Sequence, residues 1–214
     1  MSFYTRPDNF PPVVKNLLII NVIFFIATEF LLRDQLYIEE AANQGILGFL
    51  GLWPINSGLF QPYQVFTHMF THAGIGHIFF NMFNLWMFGR ILENVWGPKK
   101  FLLFYFICGL GAAAAFLAEQ YITGNYNYAV GASGAVMGVL AAFAYLFPNT
   151  ELMLIFFPVP IKAKWLILIM IAFDLFGGLG RTGDGIAHWA HLGGAAVGFL
   201  LVLYWNKTNK KTFY

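Results

Sequence analysis

Residues 129–138 read Ala-Val-Gly-Ala-Ser-Gly-Ala-Val-Met-Gly, which places Ser133 among glycines at the start of an apolar segment. The first turn of a helix carries backbone N–H groups without intrahelical acceptors, and such groups can hold a negatively charged oxygen. Glycine has no side chain, so a bound peptide can approach the backbone closely. The stretch is compatible with a nucleophilic serine. In isolation, however, a cluster of small residues is more often a packing face between membrane helices.

The composition indicates a membrane protein. Of the 214 residues, 59% are hydrophobic and 10% are charged, whereas a soluble domain carries about 25% charged residues. We therefore predict one all-α domain over residues 1–214, a polytopic membrane protein with a bundle of six transmembrane helices. The formal net charge of +2 is too small to indicate nucleic-acid binding. The single cysteine, Cys108, excludes an intramolecular disulfide.

Six apolar segments account for the predicted bundle. Their ranges are 14–32, 76–95, 101–121, 133–148, 165–180 and 187–205. The apolar run at 45–53 is too short to cross a bilayer and ends in an aromatic residue, so we expect a partly membrane-embedded loop between the first two spans. Of the 12 lysines and arginines, all but Arg33 and Arg181 fall on segments that share a side with the N-terminus. This distribution predicts that both termini are cytoplasmic.

Polar residues of three predicted spans fall at a similar depth. The fourth span has only 14 residues, 134–147, or about 21 Å of helix against a hydrocarbon core of about 30 Å. With its far end at the inner surface, this span places Ser133 about 10 Å below the outer one. His77 and Asn81 lie one helical turn apart near the outer end of the second span, and His191 lies near the outer end of the sixth. Ionisable residues at this depth are costly and indicate function by default.

Small residues explain how these side chains can meet. The fourth and sixth spans carry the faces Gly134-x-x-x-Gly138 and Gly194-x-x-x-Gly198 directly after Ser133 and His191. Such faces let two membrane helices pack closely. We expect this packing to bring the imidazole of His191 within hydrogen-bond reach of the Ser133 hydroxyl.

The chain resembles the rhomboid family of intramembrane serine proteases over essentially its whole length. The matching motifs are His77-x-x-x-Asn81, Gly131-Ala132-Ser133-Gly134 and Ala190-His191-x-x-Gly194-x-x-x-Gly198. The resemblance implies Ser133 as nucleophile and His191 as general base. The groups that it implies for stabilising the transition state are Asn81, His77, Gly131, Ala132 and the Ser133 backbone N–H.

The resemblance also implies a setting and a class of substrate. The six-span core is typical of bacterial members, so we expect a bacterial inner membrane and an active site open to the outer side. The implied partners are transmembrane protein substrates and the lipid bilayer, with no cofactor and no metal. The substrate is expected to enter sideways and to need helix-destabilising residues, since a peptide bond inside an intact helix cannot reach the serine.

Two positions depart from the family pattern. Many members carry Trp-Arg before the second span, where this chain has Tyr63-Gln64, which leaves open how the loop is anchored. Many also carry an aromatic residue four positions after the serine, where this chain has Met137, so we expect a thioether contact or another side chain to orient the imidazole. No carboxylate is obviously placed beside His191, and we therefore predict a Ser–His dyad.

Four further polar residues leave alternatives open. His188 lies three residues before His191 and competes for the role of base, although the glycine spacing favours His191. His68 and His72 are spaced to bind a metal, but they lack the glutamate of a metalloprotease motif and also suit hydrogen-bonded histidines that brace the loop. Asp174 either lines a substrate or water path or has a local hydrogen-bond partner.

Two other functions compete with the protease. A catalytically silent rhomboid-like protein that binds membrane clients usually lacks the serine or the histidine, and both are present here. A small transporter would line a pore with His77, Asn81 and His191, but the chain shows no inverted repeat. The sequence does not indicate the natural substrate, the cleavage-site preference, the physiological process, the oligomeric state or the helix that admits substrate.

Overall fold

The computed structural model describes residues 7–31, 45–154, 157–180 and 183–208, and most of these lie in helices. Within these ranges the α-helices are α1 (Pro12–Ile26), α2 (Gly45–Leu50), α3 (Gln64–Thr67), α4 (Ile75–Asn84), α5 (Arg90–Trp96), α6 (Pro98–Thr123), α7 (Ser133–Leu146), α8 (Ala163–Gly180) and α9 (His188–Thr208). A π-helical turn, Ala27–Leu31, extends α1, and a second, Leu85–Gly89, joins α4 to α5. Short 3-10 turns occupy Ile55–Ser57 and His68–Phe70.

The helices fit a polytopic membrane protein. Three of those described, Pro12–Phe30, Pro98–Thr123 and Ala163–Gly180, are long and apolar enough to cross a membrane, and α7 is apolar but has only 14 residues. Each predicted span contains a helix, and the fourth begins at the predicted residue, which confirms the helical bundle. The count of six spans, the single domain and the orientation stay predictions. Arg33 and Arg181, on which the orientation partly depends, lie outside the described residues.

Helix α7 lies at the centre of the bundle, where all of its residues from Gly134 to Ala144 are buried. Its glycine face packs against that of α9, as predicted. A Cβ added at Gly194 would overlap the Gly134 carbonyl, and one added at Gly198 would lie 2.6 Å from Gly138 Cα. The two backbones are therefore in direct contact, which only glycine permits at this separation.

The loop between α2 and α4 is tied to the residues that precede α7. Leu52 and Ala129 exchange backbone hydrogen bonds of 2.9 and 3.0 Å, and the Gly131 N–H donates to the His68 carbonyl over 2.8 Å. Gln64 braces the loop from inside, because its buried side chain bonds the backbone of Phe49 in α2 and of three loop residues, Trp53, Leu59 and Gln61. The glutamine that departs from the family pattern thus stabilises the loop by hydrogen bonds to the backbone around it.

Two features lie at the end of the bundle opposite Ser133. An antiparallel hairpin of β1 (Glu151–Leu154) and β2 (Phe157–Lys162) links α7 to α8. It was not predicted, because its second strand carries prolines that obscure any alternating pattern. The buried Glu93 side chain accepts hydrogen bonds of 2.8 and 2.7 Å from the first-turn N–H groups of Val13 and Val14, and so caps α1 from another helix.

Candidate active site

A glycine turn presents Ser133 at the first residue of α7. Gly131 has φ +120°, a backbone conformation that L side chains rarely adopt. A Cβ at this position would also lie 2.6 Å from His77 Nε2, so the missing side chain makes room for that imidazole beside the serine. The half-buried hydroxyl and the backbone N–H of the first helical turn therefore face the same space.

The structure brings Ser133 and His191 into contact. Ser133 Oγ lies 2.8 Å from His191 Nε2, which is within the range in which a base can accept the hydroxyl proton. His191 sits in the first turn of α9, and its side chain is 18% exposed. The close packing of α7 on α9 explains how two residues that are distant in sequence meet.

A carboxylate lies behind the imidazole. Asp174 Oδ1 is 2.9 Å from His191 Nδ1, and the Asp174 side chain is only 7% exposed. An ionised carboxylate accepts hydrogen bonds but cannot donate one, so the His191 proton resides on Nδ1 and the Nε2 lone pair faces the serine. The prediction of a Ser–His dyad, made because no carboxylate was obviously placed beside His191, is therefore corrected, since Asp174 contacts the imidazole. The imidazole is oriented by Asp174, a role that the sequence had left to Met137 or another side chain.

Ser133 and His191 open into a cleft of about 630 Å³. Its polar lining includes His77, Asn81, Asn84 and Asp174, on α4 and α8. Its apolar lining from α4, α7 and α8 comprises Phe80, Val136, Met137, Leu140, Ile169, Met170 and Phe173. The cleft thus offers a reactive polar end and an apolar wall, a combination that suits an extended apolar peptide.

Two of the residues predicted to stabilise an oxyanion line this cleft. Asn81 is buried and donates one amide N–H to the His77 carbonyl over 2.9 Å, which leaves the second N–H of its amide for a ligand. His77 receives the Ala73 N–H at Nδ1 over 3.4 Å, and its Nε2 lies beside Gly131 above the serine. Both line the same cleft as Ser133, and their part in holding an oxyanion stays a prediction.

The other two predicted residues contribute differently. The Gly131 N–H is donated to the His68 carbonyl, and the missing side chain of Gly131 leaves space for the His77 ring, while its predicted part in stabilising the transition state stays a prediction. Ala132 is fully buried and its carbonyl accepts the Val136 N–H, and its predicted part in stabilising the transition state likewise stays a prediction.

His68 and His72 both bond to backbone carbonyls in the loop outside the spanning helices. His68 Nδ1 lies 2.7 Å from the Gln64 carbonyl, and burial lowers the pKa of this imidazole to about 4. His72 Nδ1 lies 3.3 Å from the Phe70 carbonyl, and burial, with a smaller effect of His77, lowers its pKa to about 3. Both rings are therefore neutral at physiological pH. Within the described ranges, no three His, Cys, Asp or Glu side chains are arranged to hold a metal ion.

His188 does not contact the serine. Its Nδ1 lies 2.8 Å from Asp174 Oδ1, the same oxygen that receives His191, and its Nε2 lies 3.1 Å from Asp184 Oδ2. Both ring nitrogens are occupied by carboxylates, so this histidine is not placed to act as the base. The local partner that the sequence left open for Asp174 is thus a pair of imidazoles.

The chain is similar to known proteins over about two thirds of its length. Residues 59–207 match the Rhomboid domain. The chain is similar to the mitochondrial rhomboid protein 1 of Saccharomyces cerevisiae, with 36% identity over 148 residues that cover 66% of this chain and 41% of the relative. It is similar to the mitochondrial presenilin-associated rhomboid-like protein of Homo sapiens, with 33% identity over 152 residues that cover 71% of this chain and 39% of the relative. It is also similar to the rhomboid protease GluP of Bacillus subtilis, with 31% identity over 138 residues, which are 64% of this chain and 25% of the relative.

These relatives determine the family but not the compartment. The chain spans less than half the length of each of the three. Two of them are mitochondrial by name and one is bacterial, so the bacterial inner membrane stays a prediction. The family match covers well over half of the chain, from Leu59 to Lys207. This chain belongs to the rhomboid family.

Proposed function

We propose that this chain is an intramembrane serine endopeptidase that hydrolyses peptide bonds in or near transmembrane segments of other proteins. The observation that carries the proposal is the hydrogen-bonded series Ser133, His191, Asp174, with distances of 2.8 and 2.9 Å, at the polar end of a cleft. A hydroxyl is a weak nucleophile until an adjacent base accepts its proton, and here the base is held in the required tautomer.

The arrangement supports acyl transfer in two steps. In the first, Ser133 Oγ attacks the carbonyl carbon while His191 Nε2 takes the hydroxyl proton. The negatively charged oxygen is held by the Ser133 backbone N–H and by Asn81 and His77, and such donors contribute about 3 kcal/mol each. His191 then gives its proton to the leaving amine as the C–N bond breaks. In the second step, a water molecule attacks the acyl-enzyme and His191 acts once more as base and acid.

The lining of the cleft favours an apolar, locally unwound substrate. Its apolar wall suits the side chains of a transmembrane segment, and the serine reaches a peptide bond only where the substrate helix is broken. We propose the orientation that the lysines and arginines favour, with both termini inside and the cleft open to the outer side. Water for the second step then enters from that side.

Cleavage of a reporter transmembrane protein in proteoliposomes tests the proposal. We expect the wild-type chain to release a defined product and Ser133→Ala to release none. Ser57→Ala is the matched control, because Ser57 lies in the loop, where its hydroxyl accepts the Leu59 N–H, so this variant should cleave normally. Cleavage that survives Ser133→Ala would refute the proposal. A folded wild-type chain that binds reporters without cleaving any of them would favour the client-binding alternative.

A further inference from the structure

One carboxylate oxygen serves two imidazoles. Asp174 Oδ1 lies 2.9 Å from His191 Nδ1 and 2.8 Å from His188 Nδ1. On its far side, His188 Nε2 lies 3.1 Å from Asp184 Oδ2. A series of hydrogen bonds therefore extends from Ser133 through His191 and Asp174 to His188 and Asp184.

The donor requirements determine the charge of His188. An ionised carboxylate accepts hydrogen bonds only, so a ring with a carboxylate at each nitrogen must carry both protons. His188 is then an imidazolium between two anions. His191 differs, because its Nε2 faces a hydroxyl and needs no proton there.

The surroundings hold the His188 ring in one place. Its side chain is 5% exposed. A Cβ added at Gly177 of α8 would overlap the ring, so the ring occupies space that is open only because this residue is glycine. Phe173 meets the ring edge at 6.1 Å between centroids. The Asp184 side chain is 34% exposed, so solvent reaches the far end of the series.

The titratable groups around His188 come from several elements. Asp174 faces it from α8, Asp184 from the loop before α9, and His191 from the next turn of α9. A second cleft of about 640 Å³ opens on the other side of this loop and includes His188 and Asp184 in its lining. The further titratable groups on its walls are Glu119 of α6 and Tyr126 and Tyr128 of the following loop.

We propose that His188, held by Asp184, is a positioning residue whose positive charge sets the pH at which His191 becomes available as a base. This rests on the proposed function. His191 and His188 share the negative charge of Asp174, so the cation of His188 opposes protonation of His191. Loss of that cation favours protonated His191, and the acid limb of the pH–rate profile moves to higher pH. For charges about 6 Å apart, an effective dielectric constant between 20 and 80 corresponds to a shift of about 0.5–2 pH units.

The experiment compares pH profiles of kcat/KM for reporter cleavage. His188→Gln keeps a donor for Asp174 without a charge, and we expect its acid limb to move up by about 0.5–2 pH units. Asp184→Asn leaves the ring in place but removes the anion that holds its charge, so we expect a smaller shift in the same direction. Glu151→Gln, at the opposite end of the bundle on β1, removes one charge from the exposed hairpin and should leave the profile unchanged.

The outcomes separate this inference from the proposed function. An acid limb that stays in place or moves down in both His188→Gln and Asp184→Asn would overturn the inference, even where the maximal rate falls. If His188→Gln does not fold, Asp184→Asn alone decides. Cleavage that persists in Ser133→Ala would instead overturn the proposed function, whatever the two profiles show.

Discussion

Replacing Asp174 by asparagine removes one negative charge from behind His191 and keeps the size of the side chain. The carboxylate contacts His191 Nδ1 at 2.9 Å, so an imidazolium formed during the reaction lies about 4 Å from the anionic charge. At that separation the attraction is about 1 kcal/mol in water and about 4 kcal/mol at an effective dielectric constant of 20. The Asp174 side chain is 7% exposed, which favours the upper part of this range, while the cation of His188 offsets part of it.

We therefore expect Asp174→Asn to lower kcat by about 10- to 1,000-fold with little change in KM. Part of the loss comes from the tautomer, because an asparagine amide that donates to Nδ1 leaves the His191 proton on Nε2, where it faces the serine. The assay is steady-state cleavage of a reporter transmembrane protein. Glu119→Gln is the matched control, since Glu119 lies near the same end of the bundle but bonds Gln120 and Thr123 instead of His191.

Two results would refute the reasoning about Asp174. A kcat for Asp174→Asn within twofold of wild type would mean that the carboxylate does not support the imidazolium. A rise in KM with kcat unchanged would mean that it helps to bind substrate uniformly and does not act in the transition state.

Three further predictions concern stability. Gly194→Ala should lower the free energy of unfolding by about 1–3 kcal/mol, because the new Cβ would overlap the Gly134 carbonyl. Thermal unfolding measures this loss, and Gly74→Ala, at a position with open space, should leave the transition unchanged. Glu93→Ala should cost about 1–3 kcal/mol by leaving two N–H groups of α1 without a partner, and an unchanged denaturation midpoint would contradict this cap. The pKa of His68 is about 4 in the folded protein and 6.5 when the side chain is exposed, so the unfolded chain takes up the proton first as pH falls. The free energy of unfolding should therefore drop by about 3 kcal/mol between about pH 6.5 and pH 4. His68→Gln should flatten that part of the profile of stability against pH.

Apolar length and small-residue spacing were enough to predict the helices and their central contact. The predicted start at Ser133 holds because the glycine turn interrupts an otherwise apolar stretch. The meeting of Ser133 with His191 follows from the glycine faces beside them, since two faces without side chains allow the backbones of α7 and α9 to touch.

The sequence could not predict the partners of Asp174. A carboxylate within an apolar helix does indicate a buried function, but nothing in the spacing of 14 and 17 residues to the two histidines shows that both imidazoles reach one oxygen. That depends on how α8 is rotated against α9, and α8 has buried residues at only a few positions, namely Ala163, Ile167, Asp174 and Gly177. The sequence also could not predict that the Gly131 N–H donates to the His68 carbonyl, because this bond depends on how the loop folds back onto the turn before Ser133.

Covalent labelling of Ser133 tests the central claim most directly. A fluorophosphonate or isocoumarin probe reacts with a hydroxyl only where a neighbouring base activates it. Peptide mass spectrometry of the labelled protein should locate one adduct on Ser133, and His191→Ala should abolish it while the protein stays folded. An adduct on another residue, or a Ser133 adduct that forms equally well in His191→Ala, would contradict the account.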